Sequence, residues 1–91
     1  MSNTEIKLDW EPKSLAKYQE MICKIPLFHR EIARQVVDKK AVINARERGA
    51  EFVGEQDIVR AFLTEVPKTF YSLMVRLFEE VGFDYKQFEE K

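Results

Sequence analysis

The chain is poor in the residues that carry most metal and disulfide chemistry. Its 91 residues include one cysteine, Cys23, and one histidine, His29. A single cysteine cannot form a disulfide within the chain, so a reducing, intracellular compartment is expected. Structural zinc takes four ligands and a four-iron cluster takes three or four cysteines, so these two donors are too few for either. We therefore predict no metal site and no cofactor.

Long hydrophobic runs and an excess of one charge are also absent. No apolar stretch approaches the roughly 18 residues of a membrane span, and residues 1–7, MSNTEIK, lack the apolar segment of a signal peptide. Fifteen basic and sixteen acidic residues leave a net charge of −1. Nonspecific DNA binding depends on neutralising many phosphates, and this balance argues against it. The absences predict a soluble, cytoplasmic protein without a membrane partner.

What is present is the composition of one small globular domain. Hydrophobic residues make up 45% of the chain and charged residues 34%, far from the disordered class. A chain of this length supports one core, so residues 1–91 are predicted to form a single domain. Residues 1–7 are polar and without periodicity, and we expect them to form a frayed arm.

The longest uninterrupted helical pattern runs from about Pro26 to Arg48. Such a helix is roughly 34 Å long and would form the central rod of the domain. Gly49 follows a basic last turn, which predicts a left-handed cap conformation at this glycine. The large apolar residues that share a quarter turn of the helix, and that we expect to face the core, are Phe28, Ile32, Val36 and Ile43.

Three prolines mark the starts of three helices, because proline fits a first helical turn and disfavours helix at the preceding residue. Pro12 begins the first helix, Pro26 the central one and Pro67 the fourth, with a short third helix ending near Glu65. No strand pattern or repeat is present. The predicted fold is all-α, a small bundle of about four helices around one long central helix.

The fourth helix carries the clearest apolar stripe in the chain. Its members recur at spacings of three and four: Phe70, Leu73, Met74, Leu77, Phe78 and Val81. The stripe exceeds three turns, which is more than the short third helix can cover, so part of it needs another surface. We expect Met74, Phe78 and Phe88 to form a surface for a protein partner. If the stripe is core throughout, the interface is expected around Cys23 to Arg34.

Several short motifs together resemble a known module. They are Trp10-Glu11-Pro12, Ile25-Pro26-Leu27-Phe28-His29-Arg30, Ala45-Arg46-Glu47-Arg48-Gly49, and Val53 with Asp57-Ile58 and Ala61. The set resembles the small C-terminal domain of the B subunit of light-independent protochlorophyllide reductase, which is similar to small stand-alone PCP-reductase-like proteins. The resembling module covers residues 8–63, and residues 64–91 form a C-terminal helical extension.

The resemblance implies a fold and a kind of partner rather than an activity. The reductase is a large nitrogenase-like enzyme whose chemistry lies in iron–sulfur clusters and a tetrapyrrole pocket formed by other domains. Those domains are absent from this sequence. The resemblance therefore implies a noncatalytic accessory module, and we predict neither enzymatic activity nor catalytic residues.

The candidate binding residues follow the corner at Pro26. His29, Arg30 and Arg34 are the candidate contacts for a phosphate or for a tetrapyrrole carboxylate. The alternative is a solvated face in which Arg34 pairs with Asp38, four residues further along the helix.

Three functions remain open on the sequence. The leading hypothesis is a noncatalytic module that docks on a larger protein of a redox or nitrogenase-like reductase complex, or on a second copy of itself. The second is binding of a tetrapyrrole or other flat hydrophobic cofactor between the corner and the extension. The third is a histone-fold-like nucleic-acid-binding protein. It rests on the order short helix, long helix, extended link and short helix, and the near-neutral charge argues against it.

Overall fold

A computed structural model describes residues 8–88 of the chain, so the predicted arm at residues 1–7 lies outside the described residues. Within the described range the chain is mainly helical, which confirms the predicted class. The four helices are Pro12–Lys24 (α1), Leu27–Glu47 (α2), Glu55–Glu65 (α3) and Tyr71–Val81 (α4). Two short strands are Asp9–Trp10 (β1) and Phe52–Val53 (β2), and single 3₁₀ turns occupy Lys68–Phe70 and Lys86–Phe88.

The 21-residue α2 is the central element, about 31 Å long. It packs most extensively on α3 and also contacts α1 and β2, while α1 packs on α4. Most of the helix starts and ends that proline and glycine predicted are correct. The first helix begins at Pro12 as predicted, and Gly49 and Gly82 both adopt left-handed conformations, with φ of +70° and +88°. The fourth helix begins later than predicted, because a 3₁₀ turn separates Pro67 from Tyr71.

The strands β1 and β2 pair in parallel, with Trp10 opposite Val53. The N–H of Glu11 extends the ladder by donating to the carbonyl of Val53 at 2.9 Å. These strands are absent from the predicted fold, since elements of two residues are too short to show the alternation of a strand. The pairing places the ring of Trp10 against the core, stacked on Tyr18 with ring centroids 5.4 Å apart.

The buried face of α2 differs from the predicted one. The side chains that it buries are small or medium-sized: Val37, Ala41 and Ala45. The predicted core residues Phe28 and Ile32 are instead 78% and 65% exposed. Alanines let a neighbouring helix approach α2 closely, and α3 packs against this face. Phe28, Ile32 and Val36 lie on nearly the opposite side of the helix and are exposed, and the fourth predicted core residue, Ile43, is half-buried.

Candidate docking surface

The predicted docking residues of the fourth helix belong to the core. Met74 is 4% exposed and Phe78 is fully buried, while Phe88 is half-buried against the core. The ring of Phe78 meets Phe62 edge to face and stacks on Tyr85, with centroids 5.7 and 5.5 Å apart. The prediction that Met74 and Phe78 face a partner is therefore wrong.

The apolar stripe of α4 is covered by other parts of the same chain. The left-handed turn at Gly82 reverses the chain and brings Phe83 and Tyr85 onto the core. On the other side α1 covers α4, and the ammonium of Lys17 donates to the carbonyl of Gly82 at 3.1 Å. A second contact joins Lys24 to Glu80 across the same two helices at 3.4 Å. The two coverings together leave no wide apolar stripe on α4.

The first turns of α2 carry the large exposed apolar side chains. Leu27, Phe28 and Ile32 are 74%, 78% and 65% exposed. This is the region, Cys23 to Arg34, that the sequence named as the interface if α4 proved to be core. Val36 and Phe70 are 38% and 40% exposed. Large exposed apolar side chains close together on a surface often mark an interaction site.

A cavity of about 330 Å³, which we call the apolar groove, adjoins these side chains. The corner between α1 and α2 forms one wall, and the corner between α3 and α4 forms the other. Its lining is apolar apart from His29 and Glu65: Met21, Ile25, Pro26, His29, Ile32, Ala33, Val36, Phe62, Glu65, Val66, Pro67, Phe70, Leu73, Met74 and Leu77. The groove thus lies between the corner and the extension, where the sequence suggested a hydrophobic ligand.

His29 connects the two walls of the apolar groove. Its ring lies 4.3 Å from that of Phe28 and 5.6 Å from that of Phe70, measured between centroids. Of the three predicted binding residues, His29, Arg30 and Arg34, it is His29 that lines the groove. The imidazole is exposed, so its ring nitrogens remain accessible to a ligand or a partner.

Arg30 has a structural partner rather than a free guanidinium. Its Nη2 donates to the carbonyls of Cys23 and Ile25 at 2.9 and 3.1 Å. These carbonyls belong to the end of α1, where helical partners are lacking. The side chain therefore caps α1 and holds the corner together. The Nε and Nη2 donors are committed to this cap, so an anion could be met only through Nη1 unless the cap is released.

Arg34 pairs with Glu31, at 3.5 Å, and not with Asp38 as predicted. Asp38 instead accepts a hydrogen bond from the hydroxyl of Tyr18, whose ring is buried. Burial, and then this hydrogen bond, raise the pKa of the Tyr18 phenol well above its ordinary value. A buried phenol hydroxyl without an acceptor costs more free energy than an exposed guanidinium without a second carboxylate. Asp38 therefore pairs with Tyr18.

A second depression, which we call the basic hollow, has a volume of about 830 Å³. Its charged lining residues are Lys40, Glu47, Arg60 and Lys68, which leaves an excess of positive charge. The remaining lining residues are Asn44, Leu63, Thr64, Tyr71 and Phe88. No local sequence pattern predicts this cluster, because its cations come from three separate segments.

Cys23 is exposed at the end of α1. Among residues 8–88, no group of three or more histidine, cysteine, aspartate and glutamate side chains is placed to hold a metal ion. In the same range, no helix combines the length and the hydropathy that crossing a membrane requires.

Comparison of the chain with family models, with curated proteins and with solved structures gives no match. The resemblance to the reductase domain therefore stays a prediction from the sequence motifs.

Proposed function

We propose that the chain is a noncatalytic helical module that docks on a larger protein through the exposed apolar residues of α2 and the apolar groove. The observation that carries the proposal is the exposure of Ile32 on the wall of the apolar groove, together with that of Leu27 and of Phe28, whose ring contacts the groove residue His29. Burying a side chain of this size contributes about 1.5–3 kcal/mol, so three of them supply a strong driving force for association.

The chemistry of the lining supports docking over catalysis. The two titratable side chains of the groove, His29 and Glu65, come from opposite walls, and the remaining lining residues are apolar. Such a surface supplies contact area, and a concave apolar groove beside exposed apolar side chains is the usual receptor for an amphipathic segment of a partner. The class of the larger partner, a redox or nitrogenase-like reductase complex, rests on the sequence resemblance alone.

The test is affinity purification at native expression level with Phe28→Ser combined with Ile32→Ser. Both side chains are exposed, so we expect the double variant to keep the helical circular dichroism and the cooperative melt of the parent. We expect it to lose the partner that the parent retains. Phe52→Ser is the matched control, because Phe52 is an aromatic residue 51% exposed on β2 and outside the groove. A parent that purifies alone and monomeric would contradict the proposal, as would a double variant that keeps its partner.

A second candidate function is binding of a flat hydrophobic cofactor such as a tetrapyrrole. The position of the apolar groove favours it, with His29 on one wall and Phe70 on the other. A volume of about 330 Å³ falls at the lower end of the range for small-molecule sites. Titration with haem or protochlorophyllide tests it. A spectral change that His29→Ala removes would support binding at this site, and an unchanged spectrum would eliminate the candidate.

A further inference from the structure

One side of α2 lines both the apolar groove and the basic hollow. The residues that line the groove or the hollow from this side recur every three or four positions: His29, Ala33, Val36, Lys40, Asn44 and Glu47. The first three face the groove and the last three face the hollow. A stripe with this spacing runs straight along a helix and here covers about 27 Å.

The opposite wall shows the same division. Around the corner between α3 and α4, residues adjacent in the chain alternate between the two depressions. Glu65, Pro67 and Phe70 line the groove, and their neighbours Thr64, Lys68 and Tyr71 line the hollow. The two depressions therefore follow one another along the same side of α2, and we call the pair the channel, which is apolar at one end and charged at the other.

Among residues 8–88, the charged end of the channel has an excess of positive charge. Lys40, Arg60 and Lys68 face it together with one carboxylate, that of Glu47. None of these three cations forms an ion pair within residues 8–88, whereas Lys17, Lys24, Arg34 and Arg48 each have a carboxylate partner there. At the apolar end the charge is reversed, since Glu65 lies on the rim of the groove.

Complementary charge steers association and selects partners, so the channel favours carboxylates at the hollow and disfavours them at the groove. A helix of about 18 residues matches a channel of about 27 Å. Its apolar side chains would replace water in the groove, next to Phe28 and Ile32, in the manner of other helix-in-groove complexes.

Resting on the function proposed above, we infer that the occupant is an amphipathic helix of the partner, about five turns long, with large apolar residues at one end and aspartate or glutamate at the other. The apolar end fills the groove, and the acidic end lies on Lys40, Arg60 and Lys68.

Two synthetic helical peptides of about 18 residues test the inference. Both carry leucine and phenylalanine on one face of their first half. The second half carries glutamate in one peptide and lysine in the other. Binding of each labelled peptide to the full chain is measured by fluorescence anisotropy at low salt. We expect the glutamate peptide to bind at least about tenfold more tightly than the lysine peptide, with the preference shrinking as salt is added.

Variants of the chain show which residues produce the preference for the glutamate peptide. Lys68→Glu should remove most of the preference for the glutamate peptide. Lys13→Glu is the matched control, since Lys13 is exposed on α1 and lies outside both depressions. A control that weakens binding as much as Lys68→Glu would show a general charge effect and overturn the inference.

Other outcomes are equally decisive. Equal binding of both peptides would overturn the assignment of acidic chemistry, and absence of binding by either would overturn the helical partner. Sedimentation that shows a dimer of the parent, abolished by Phe28→Ser with Ile32→Ser, would make a second copy the occupant. These failures differ from failure of the proposed function, which the affinity purification measures with the native partner.

Discussion

Arg48 and Asp57 form a bidentate ion pair across the link between α2 and α3. The guanidinium Nε lies 2.9 Å from Oδ1, and Nη2 lies 2.7 Å from Oδ2. The carboxylate also accepts the backbone N–H of Gly54 at 2.9 Å, and it is almost completely buried. The hydrogen bond to Asp57 raises the pKa of the guanidinium. Three donors on one buried carboxylate fix the position at which α3 begins, and α3 supplies part of the wall of both depressions.

We predict that Asp57→Ala destabilises the fold by about 2–5 kcal/mol, because it removes both the acceptor of the Gly54 N–H at the start of α3 and the partner of Arg48. The free energy of unfolding from urea denaturation measures the loss. Glu47→Ala is the control, since Glu47 is an exposed carboxylate one residue from Arg48 and should change stability by no more than about 0.5 kcal/mol. Equal, small effects of the two variants would show that the buried pair contributes little.

The second prediction contrasts two phenylalanines. Phe78→Ser should destabilise by about 3–5 kcal/mol or prevent folding, because Phe78 packs between Phe62 and Tyr85 in the core. Phe28→Ser should shift stability by about 0.5 kcal/mol at most, because Phe28 is exposed. Thermal melts followed by circular dichroism compare them. A larger loss for Phe28→Ser would place α2 in a different orientation from the one described.

The third prediction concerns Gly49, whose φ is +70°. Nothing lies within 4 Å of a Cβ built on this residue, so the cost of a side chain there is conformational alone. We expect Gly49→Val to destabilise by about 1 kcal/mol or more, measured as a lower melting temperature. Gly54→Ala should be tolerated, since Gly54 has an extended backbone and a new Cβ would meet Arg48 Nη2 at an ordinary 3.5 Å. A melting temperature unchanged by Gly49→Val would place the end of α2 elsewhere.

The fourth prediction follows from the raised pKa of Tyr18. Its ordinary value is 10.0, and in the fold burial and Asp38 hold the phenol in its neutral form. The stabilisation that this provides is complete below about pH 10 and is lost as the pH rises above that value toward the raised pKa. Urea midpoints should therefore fall more steeply above pH 10 for the parent than for Tyr18→Phe.

The comparison with Tyr18→Phe isolates one group among several that titrate at high pH. Burial and the nearby Glu79 also raise the pKa of Tyr85, so part of the alkaline loss should persist in the variant. Parallel slopes for parent and variant above pH 10 would contradict a stabilising role for the bond between Tyr18 and Asp38.

The sequence alone determined where most helices begin and end. Pro12 and Pro26 act through their own fixed φ angle and missing N–H, and Gly49 and Gly82 act through their freedom to adopt positive φ. These are local effects that depend on a few neighbouring residues. For the same reason the all-α class and the long central helix were predictable. The region of the candidate surface, Cys23 to Arg34, was named as the alternative interface but not as the first choice.

Only the tertiary structure decided which face of each helix is buried. Apolar residues lie on both sides of α2. The sequence pattern predicted that the side with the larger ones, Phe28 and Ile32, is buried. Close approach of α3 depends on the small side chains Ala41 and Ala45, so the side of α2 that carries these alanines is the buried one. The basic hollow is likewise a product of packing, since residues distant in the chain become neighbours only when α2, α3 and the corner before α4 are in place. Burial is a property of contacts between segments, and a one-dimensional pattern carries no measure of how closely two segments can approach.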